Sequence, residues 1–196
     1  NSGVTYLTIG GTCQASSIQI NGNASNINVP TQLQSPASVI DMPNFSQDIK
    51  NEATAAGTAY MINSWETKVL AGNSVNVDSS IYSSGGIEIS TCNFTGQGSI
   101  CAEKNIKLSG DTLKSVSSAA VCIYSVTGDI NFATDGLTIY GTLYAPNGTI
   151  SIHAKNITIY GRVVAKNIII TGSNVKIISG SSDLNFLPGG TVSLCE

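Results

Sequence analysis

Apolar residues recur in pairs spaced two apart, and the pairs themselves recur about every 20 residues. The clearest repeat is Leu137-Thr-Ile-Tyr-Gly141, which returns 20 residues later as Ile157-Thr-Ile-Tyr-Gly161. A spacing of two indicates a short strand with one buried face, so three such strands in about 20 residues predict one triangular coil. The chain is therefore expected to be all-β, a single-stranded parallel β-helix, right-handed as is usual for such solenoids.

Five successive coils follow from this pattern, each with three inward pairs. The first three coils have the pairs Ile81/Ser83, Ile87/Ile89, Phe94/Gly96; Ile100/Ala102, Ile106/Leu108, Leu113/Ser115; and Ile123/Ser125, Ile130/Phe132, Leu137/Ile139. The last two have Leu143/Ala145, Ile150/Ile152, Ile157/Ile159; and Val163/Ala165, Ile168/Ile170, Val175/Ile177. Coils stacked about 4.8 Å apart align these residues into apolar columns that no single coil could bury. The columns resume in register after Ala145-Pro-Asn-Gly-Thr-Ile150 is shortened to Ala165-Lys-Asn-Ile168.

Both flanks of the solenoid differ from the repeat. Residues 1–42 are strand-like and form either early coils or an arm, in which Val4, Tyr6, Leu7 and Ile9 are candidate assembly residues. Residues 43–60 predict the one helix, with an apolar face formed by Phe45, Ile49, Ala53, Ala56 and Tyr60. Because an open end exposes core and strand edges, we expect this helix to cap the first end of a solenoid that spans residues 61–180. Residues 181–196, with Leu184, Phe186, Leu187 and Pro188, are expected to close the other end.

Composition narrows the classes of partner. Only 11% of residues are charged, against about 25% in ordinary soluble domains, and the net charge is −3 with Arg162 as the one arginine. A nucleic-acid partner needs a basic surface and is therefore not expected. No apolar run approaches the ~18 residues of a transmembrane helix.

Five cysteines invite two interpretations, a metal site or disulfides. Cys13, Cys92, Cys101, Cys122 and Cys195 include no C-x-x-C pair, and His153 is the single histidine, so we predict no metal site and no cofactor. In a chain rich in Ser, Thr and Asn, disulfides formed in an oxidising compartment are the better interpretation. The odd number leaves at least one thiol free or paired between molecules.

Three stretches resemble a known kind of coil: Tyr124-Ser-Val-Thr-Gly-Asp-Ile130, Tyr144-Ala-Pro-Asn-Gly-Thr-Ile150 and residues 157–168. They are similar to the β-helix domain of bacterial surface and type IV pilus-associated proteins, and more distantly to the polymer-forming bactofilins. The resemblance covers about residues 60–180. It implies an extracellular or cell-surface location and partners that are further copies or other surface and pilus subunits. Many members carry a pilin-like anchor; we find none here, so membrane contact is expected only through an anchor that this sequence lacks.

Some parallel β-helices are polysaccharide lyases or glycoside hydrolases, so an enzyme is one class to which this chain could belong. Such enzymes need paired carboxylates, or acids with a base, on neighbouring coils. No predicted wall collects them: Asp129 and Asp135 flank a turn, where Gly-Asp and Asp-Gly are ordinary turn sequences, and His153 falls outside the inward columns. We therefore predict no catalytic residues.

An outward aromatic ridge is the one feature that suggests an interaction. It comprises Tyr82, Cys101, Tyr124, Tyr144 and Val164, with Tyr140, Tyr160 and Ile178 just before the same corner. Exposed apolar patches usually mark a contact surface. The ridge could be covered by the N-terminal arm, contact another copy of the chain, or stack against sugar rings.

These observations support two functions of different classes. The first is a non-enzymatic structural protein of the bacterial surface, associated with pili or filaments and self-assembling through its ends or N-terminal arm. The alternative is a carbohydrate-binding or adhesin module that uses the tyrosines, in which Tyr124→Ala or Tyr144→Ala would abolish glycan binding without unfolding the protein.

Overall fold

The chain forms the predicted parallel β-solenoid. A computed structural model describes residues 43–91, 93–95, 98–109, 114–115 and 121–178, together with the backbone of three short strands before residue 43. Fourteen strands form one sheet and three form another, and every pairing between them is parallel. The strands lie on three walls, A, B and C, which each coil follows in that order.

The elements, in chain order, follow the coils. Before the solenoid come β1 (Leu7–Ile9), β2 (Ile18–Ile20), β3 (Ile27–Asn28) and α1 (Ser46–Ala56). The next strands, in wall order A, B and C, are β4 (Ala59–Tyr60), β5 (Thr67–Gly72), β6 (Val75–Asn76); β7 (Ile81–Ser83), β8 (Gly86–Thr91), β9 (Asn93–Thr95); and β10 (Ser99–Ala102), β11 (Ile106–Leu108), β12 (Lys114–Ser115). They are followed by β13 (Val121–Ser125) and β14 (Ile130–Phe132), then β15 (Thr138–Ile152) and β16 (Ile157–Ile170), each of which continues through walls C, A and B, and finally β17 (Val175–Ile178). The solenoid thus begins at Ala59, one coil before the first predicted pair.

The predicted columns form the core. On wall A, Ile81, Ile100, Ile123, Leu143 and Val163 pair in register, and wall B shows the same alignment. On wall C the later coils align as predicted, but Phe94 pairs with Ser115, two residues away from the predicted register. Most inward residues whose burial is described are buried, several with no exposed surface at all. The register shifts between Ala145 and Thr149, where the shorter loop of the following coil was predicted. Leu70 and Val77 add to the core from the first coil.

Two corners depend on backbone conformations that most residues avoid. Before wall C, the chain takes positive φ at Gly136 (78°), Asn156 (57°) and Asn174 (56°), and Asn174 Nδ2 donates a hydrogen bond to Asn156 Oδ1 at 2.7 Å. Between walls C and A, Gly161 has φ 147°, and a Cβ there would lie 1.8 Å from the carbonyl oxygen of Gly141. A side chain at position 161 would therefore collide with the backbone of the preceding coil, so this position requires glycine.

The strands before residue 43 belong to the far end of the solenoid, the end next to β17, and are not early coils. Strand β1 pairs with β17, placing Thr8 opposite Lys176, while β2 pairs with β16 through Ile18 and Ile168. Strand β3 pairs with β1. Strands β1, β2 and β3 therefore lie beside the last coil, and the later coils run towards them from the first end, which is formed by β4, β5 and β6.

Helix α1 lies against wall A and does not cap an end. Its buried residues, Ile49 and Ala53, pack against outward side chains of wall A. Eleven residues span about 16 Å, which matches three to four strand spacings of about 4.8 Å. The prediction of an end cap is therefore wrong for this helix.

In the described residues, no helix has the length and apolarity needed to cross a membrane.

The helix is also shorter than the predicted range of 43–60. Gly57, at φ 73°, ends it in a left-handed turn, and the amide of Thr58 donates to the carbonyl of Ala53 at 2.8 Å. Tyr60, expected on the apolar face of the helix, instead lies in β4 and packs against the solenoid core at the first end. The predicted C-terminal cap at residues 181–196 lies outside the described residues.

Candidate interaction surfaces

The outward column of wall A is buried. Tyr82, Cys101, Tyr124 and Tyr144 are at most 6% exposed, and Val164 is half-buried. They form a second apolar cluster with Ile49 and Ala53, to which Phe45 and Ala59 add. The sequence correctly placed these residues in one outward column, but α1 covers them. The three contacts considered from the sequence were the N-terminal arm, another copy of the chain and sugar rings.

Polar contacts attach the segment around α1 to this column. The hydroxyl of Tyr144 donates to the carbonyl of Pro43 at 2.7 Å, and that of Tyr124 donates to Asn44 Oδ1 at 3.0 Å. Further along, the Ser80 hydroxyl donates to Glu52 Oε2 at 2.9 Å. Each tyrosine thus buries its ring and keeps a hydrogen-bond partner for its hydroxyl, as a buried phenol requires.

Burial changes the acid–base behaviour of this cluster. It raises the pKa of the Cys122 thiol to about 12 and raises that of Cys101 further. Burial is also the main reason why the pKa values of Tyr82 and Tyr124 lie above the usual range; for Tyr82 a hydrogen bond to Glu103 adds to the effect. These groups stay protonated and neutral at physiological pH, so the cluster behaves as an apolar core.

The two described cysteines are free, contrary to the expectation of disulfides. Cys101 lies opposite Tyr124 and Cys122 opposite Ser99, so the two cysteines are offset by two residues on adjacent strands. Strand spacing and rise put their Cα atoms about 8 Å apart, beyond the ~7 Å limit for a disulfide. Cys13, Cys92 and Cys195 lie outside the described residues.

Tyr140 and Tyr160 form a separate, exposed surface on wall C. Their exposed fractions are 39% and 40%, and the rings stack with centroids 4.8 Å apart and an interplanar angle of 11°. Ile178 follows in the same register and is 38% exposed. We call these three residues the wall C ladder. Because the two tyrosines face each other, one face of each ring is already covered.

The arm residues separate into two groups. Leu7 and Ile9 lie in β1 on wall C, opposite Val175 and Ile177 of the last coil. Val4 and Tyr6 lie outside the described residues. The pairing is within one chain, at a different wall from the buried column.

The polar residues considered for catalysis tie coils together. The amide of Thr149 donates to Asp129 Oδ1 at 2.7 Å, and that of Lys155 donates to Asp135 Oδ1 at 2.6 Å. Glu88, whose pKa is lowered by hydrogen bonds from Ser109 and then Lys107, pairs with Lys107 at 3.0 Å.

The remaining candidates for chemistry are His153 and the side chains that could bind a metal ion. His153 is exposed, and its Nδ1 lies 2.5 Å from the hydroxyl of Thr171. Among the residues with described positions, no three His, Cys, Asp or Glu side chains are grouped as a metal site would require.

One surface was not anticipated from the sequence. At the first end, Met61, Trp65 and Val69 are 63%, 80% and 51% exposed. The turn that carries Trp65 is held by Glu66, whose carboxylate accepts from the amide of Asn63 at 2.8 Å. A signal was present, since the only tryptophan lies in a polar turn between two strands.

Comparison with protein-family models, curated proteins and solved structures finds no match for this chain.

Proposed function

We propose that the chain is a non-enzymatic structural protein of the bacterial cell surface, associated with pili or other filaments and able to self-assemble. The observation that carries the proposal is the parallel stacking of successive coils from β4 to β17, in which polar side chains connect neighbouring coils. The resemblance of three coils to β-helix domains of surface and pilus-associated proteins supports the same setting. A stack of parallel strands is rigid and suits a structural element.

Surface location is testable in the bacterium that encodes the chain. Intact cells are treated with a protease, and the chain is followed by immunoblotting beside a cytoplasmic marker. We expect the chain to be removed or released while the marker stays intact. Protection of the chain until the cells are lysed would contradict the proposal. Immunogold labelling then distinguishes filaments from a uniform cell coat.

The absence of catalysis is tested separately. Purified chain is incubated with pectin, alginate and peptidoglycan, and reducing ends and unsaturated products are measured. We expect no product above a heat-denatured control. Turnover that is abolished by a single substitution of an acidic residue would overturn the non-enzymatic part of the proposal.

A second candidate, carbohydrate binding, has support only from the wall C ladder. Tyr124 and Tyr144 are buried, so the expectation that they hold a glycan is wrong; Tyr140 and Tyr160 remain exposed. A sugar usually stacks on a free ring face, and in this pair the facing sides are covered. Glycan-array binding that is lost in Tyr160→Ala and retained in the exposed-aromatic control Trp65→Ala would favour this candidate.

A further inference from the structure

The two ends of the solenoid present strand edges on the same walls. At the first end, β5 lies on wall B and β6 on wall C; at the far end, β2 lies on wall B and β3 on wall C. Within the described part of the chain, β5 pairs only with β8, and β2 only with β16. An uncovered edge carries backbone donors and acceptors that can pair with another strand.

Charge is distributed unevenly along the solenoid axis. Residues 57–98, which follow the helix and form the coils at the first end, contain three acidic residues and one lysine, a net charge of −2: Glu66, Asp78, Glu88 and Lys68. Residues 136–178 contain no acidic residue and carry Lys155, Arg162, Lys166 and Lys176, a net charge of +4. Asp41, Asp183 and Glu196 lie outside the described residues. The described solenoid is therefore negative towards its first end and positive towards its far end.

We infer that the first end of one copy docks on the far end of a second copy, so that β5 continues wall B beside β2 and β6 continues wall C beside β3. This inference rests on the proposed structural function and specifies which two surfaces form the joint between copies. The exposed Met61, Trp65 and Val69 become contact residues. A second copy fits because it supplies edges of the same polarity on two walls at once, with opposite charge.

Head-to-tail docking is favoured over contact between two first ends. A twofold axis that relates two first ends would place their edge strands antiparallel and would oppose negative charge to negative charge. The head-to-tail arrangement keeps the parallel pairing used throughout the molecule. Since the exposed charges are screened over about 8 Å at physiological salt, their main effect is to select and orient the encounter.

Lys68 sets the strength of this joint. It occupies an inward register position opposite Ile87, and its Nζ lies 4.0 Å from the centre of the Tyr60 ring. An inward charge on an edge strand opposes pairing, because docking removes it from water. The joint is consequently reversible, and Lys68→Met should strengthen it.

Sedimentation velocity of the full chain, in reducing buffer at low and high salt, tests the joint. We expect concentration-dependent species larger than a dimer. Both Lys166→Glu/Lys176→Glu at the far end and Glu66→Gln/Asp78→Lys at the first end should weaken association about tenfold. A mixture of the two variants should regain association, because the unchanged first end of one variant can dock on the unchanged far end of the other. Lys104→Glu, in the middle of the solenoid, is the matched control and should have no effect.

Two results would overturn the inference. One is a wild-type chain and a Lys68→Met variant that both remain monomeric at every concentration tested. The other is association that Lys104→Glu weakens as much as the end variants do. Circular dichroism of each variant shows whether the fold is retained. A chain that stays monomeric would also remove self-assembly from the proposed function. The surface location and the lack of turnover are measured by the separate protease and product assays, so their failure is distinguishable from failure of the joint.

Discussion

Two pairs of tyrosines on neighbouring coils show how the same local pattern gives opposite surfaces. Tyr124 and Tyr144 on wall A have ring centroids 4.9 Å apart at an interplanar angle of 43°, and both are buried. Tyr140 and Tyr160 on wall C are 4.8 Å apart at 11° and exposed. The spacing is the same because the strand spacing sets it.

The difference comes from α1 and its preceding residues, which cover wall A. Phe45 packs beside Tyr144 with centroids 6.4 Å apart, so the wall A rings tilt among several neighbours. The two rings on wall C, which stand on adjacent strands, lie nearly parallel to each other. An outward column is thus a surface or a second core depending on what another part of the chain places on it.

The corner between these two regions should be the most sensitive position. Gly161 directly follows Tyr160 and begins the wall A segment of the same strand, and an added Cβ would meet the Gly141 carbonyl oxygen at 1.8 Å. Gly161→Ala should therefore lower the free energy of unfolding by about 4 kcal/mol, measured by urea denaturation. Gly136→Ala, where φ is also positive but nothing lies within 4 Å, is the control, with an expected loss of about 1–2 kcal/mol.

Removing a buried wall A ring should have the next largest effect. Tyr124 is 1% exposed, so Tyr124→Ala leaves a cavity and should cost about 3–4 kcal/mol of unfolding free energy. Tyr124→Phe retains the ring and loses only the hydrogen bond to Asn44, so its cost should be about 1 kcal/mol. A cost for Tyr124→Ala no larger than that of an exposed tyrosine would show that α1 does not cover wall A in solution.

The sequence predicts the columns well for a physical reason. Ile87, Ile106, Ile130, Ile150 and Ile168 repeat with the two periods of the fold, and this alone determines which side of the strand faces inward. The same periodicity places Tyr124 and Tyr144 on the outside.

Periodicity cannot show what lies against an outward column, because that contact comes from residues about 80 to 100 positions away. The amphipathic pattern of residues 43–60 indicated a helix but contained no information on its docking site. The assumption that it caps an end followed from the needs of solenoids in general. Here Tyr60 and Lys68 cover the core at the first end instead.

Alkaline pH should weaken the wall A cluster. An unfolded thiol titrates near pH 9.0, whereas burial raises the pKa of Cys122 to about 12 in the folded chain. The unfolded state therefore loses the proton first, so stability is fully present below pH 9 and falls as pH rises towards 12. Within this window, each buried thiol of this kind lowers the free energy of unfolding by about 1.4 kcal/mol for each unit by which the pH rises.

Denaturation in reducing buffer at pH 7.5, 9 and 10.5 measures this slope. Cys101→Ala/Cys122→Ala should have a shallower decline than wild type, and Trp65→Ala, which removes an exposed side chain that does not titrate, should have an unchanged one. Equal slopes in all three proteins would mean that the thiols are solvated in the folded state.

The smallest effect is expected on wall C, where it shows whether the two tyrosine rings of the wall C ladder hold each other or leave their faces free for a sugar. Tyr160→Ala and Tyr140→Ala should each cost about 1 kcal/mol or less, since both rings are about 40% exposed. A double-mutant cycle isolates the stacking of the pair, for which we expect a coupling of about 0.5–1 kcal/mol. Coupling of that size means that the rings hold each other and present only their edges and outer faces to a partner. Zero coupling means that the rings separate in solution, which frees their faces for a sugar and strengthens the carbohydrate-binding candidate.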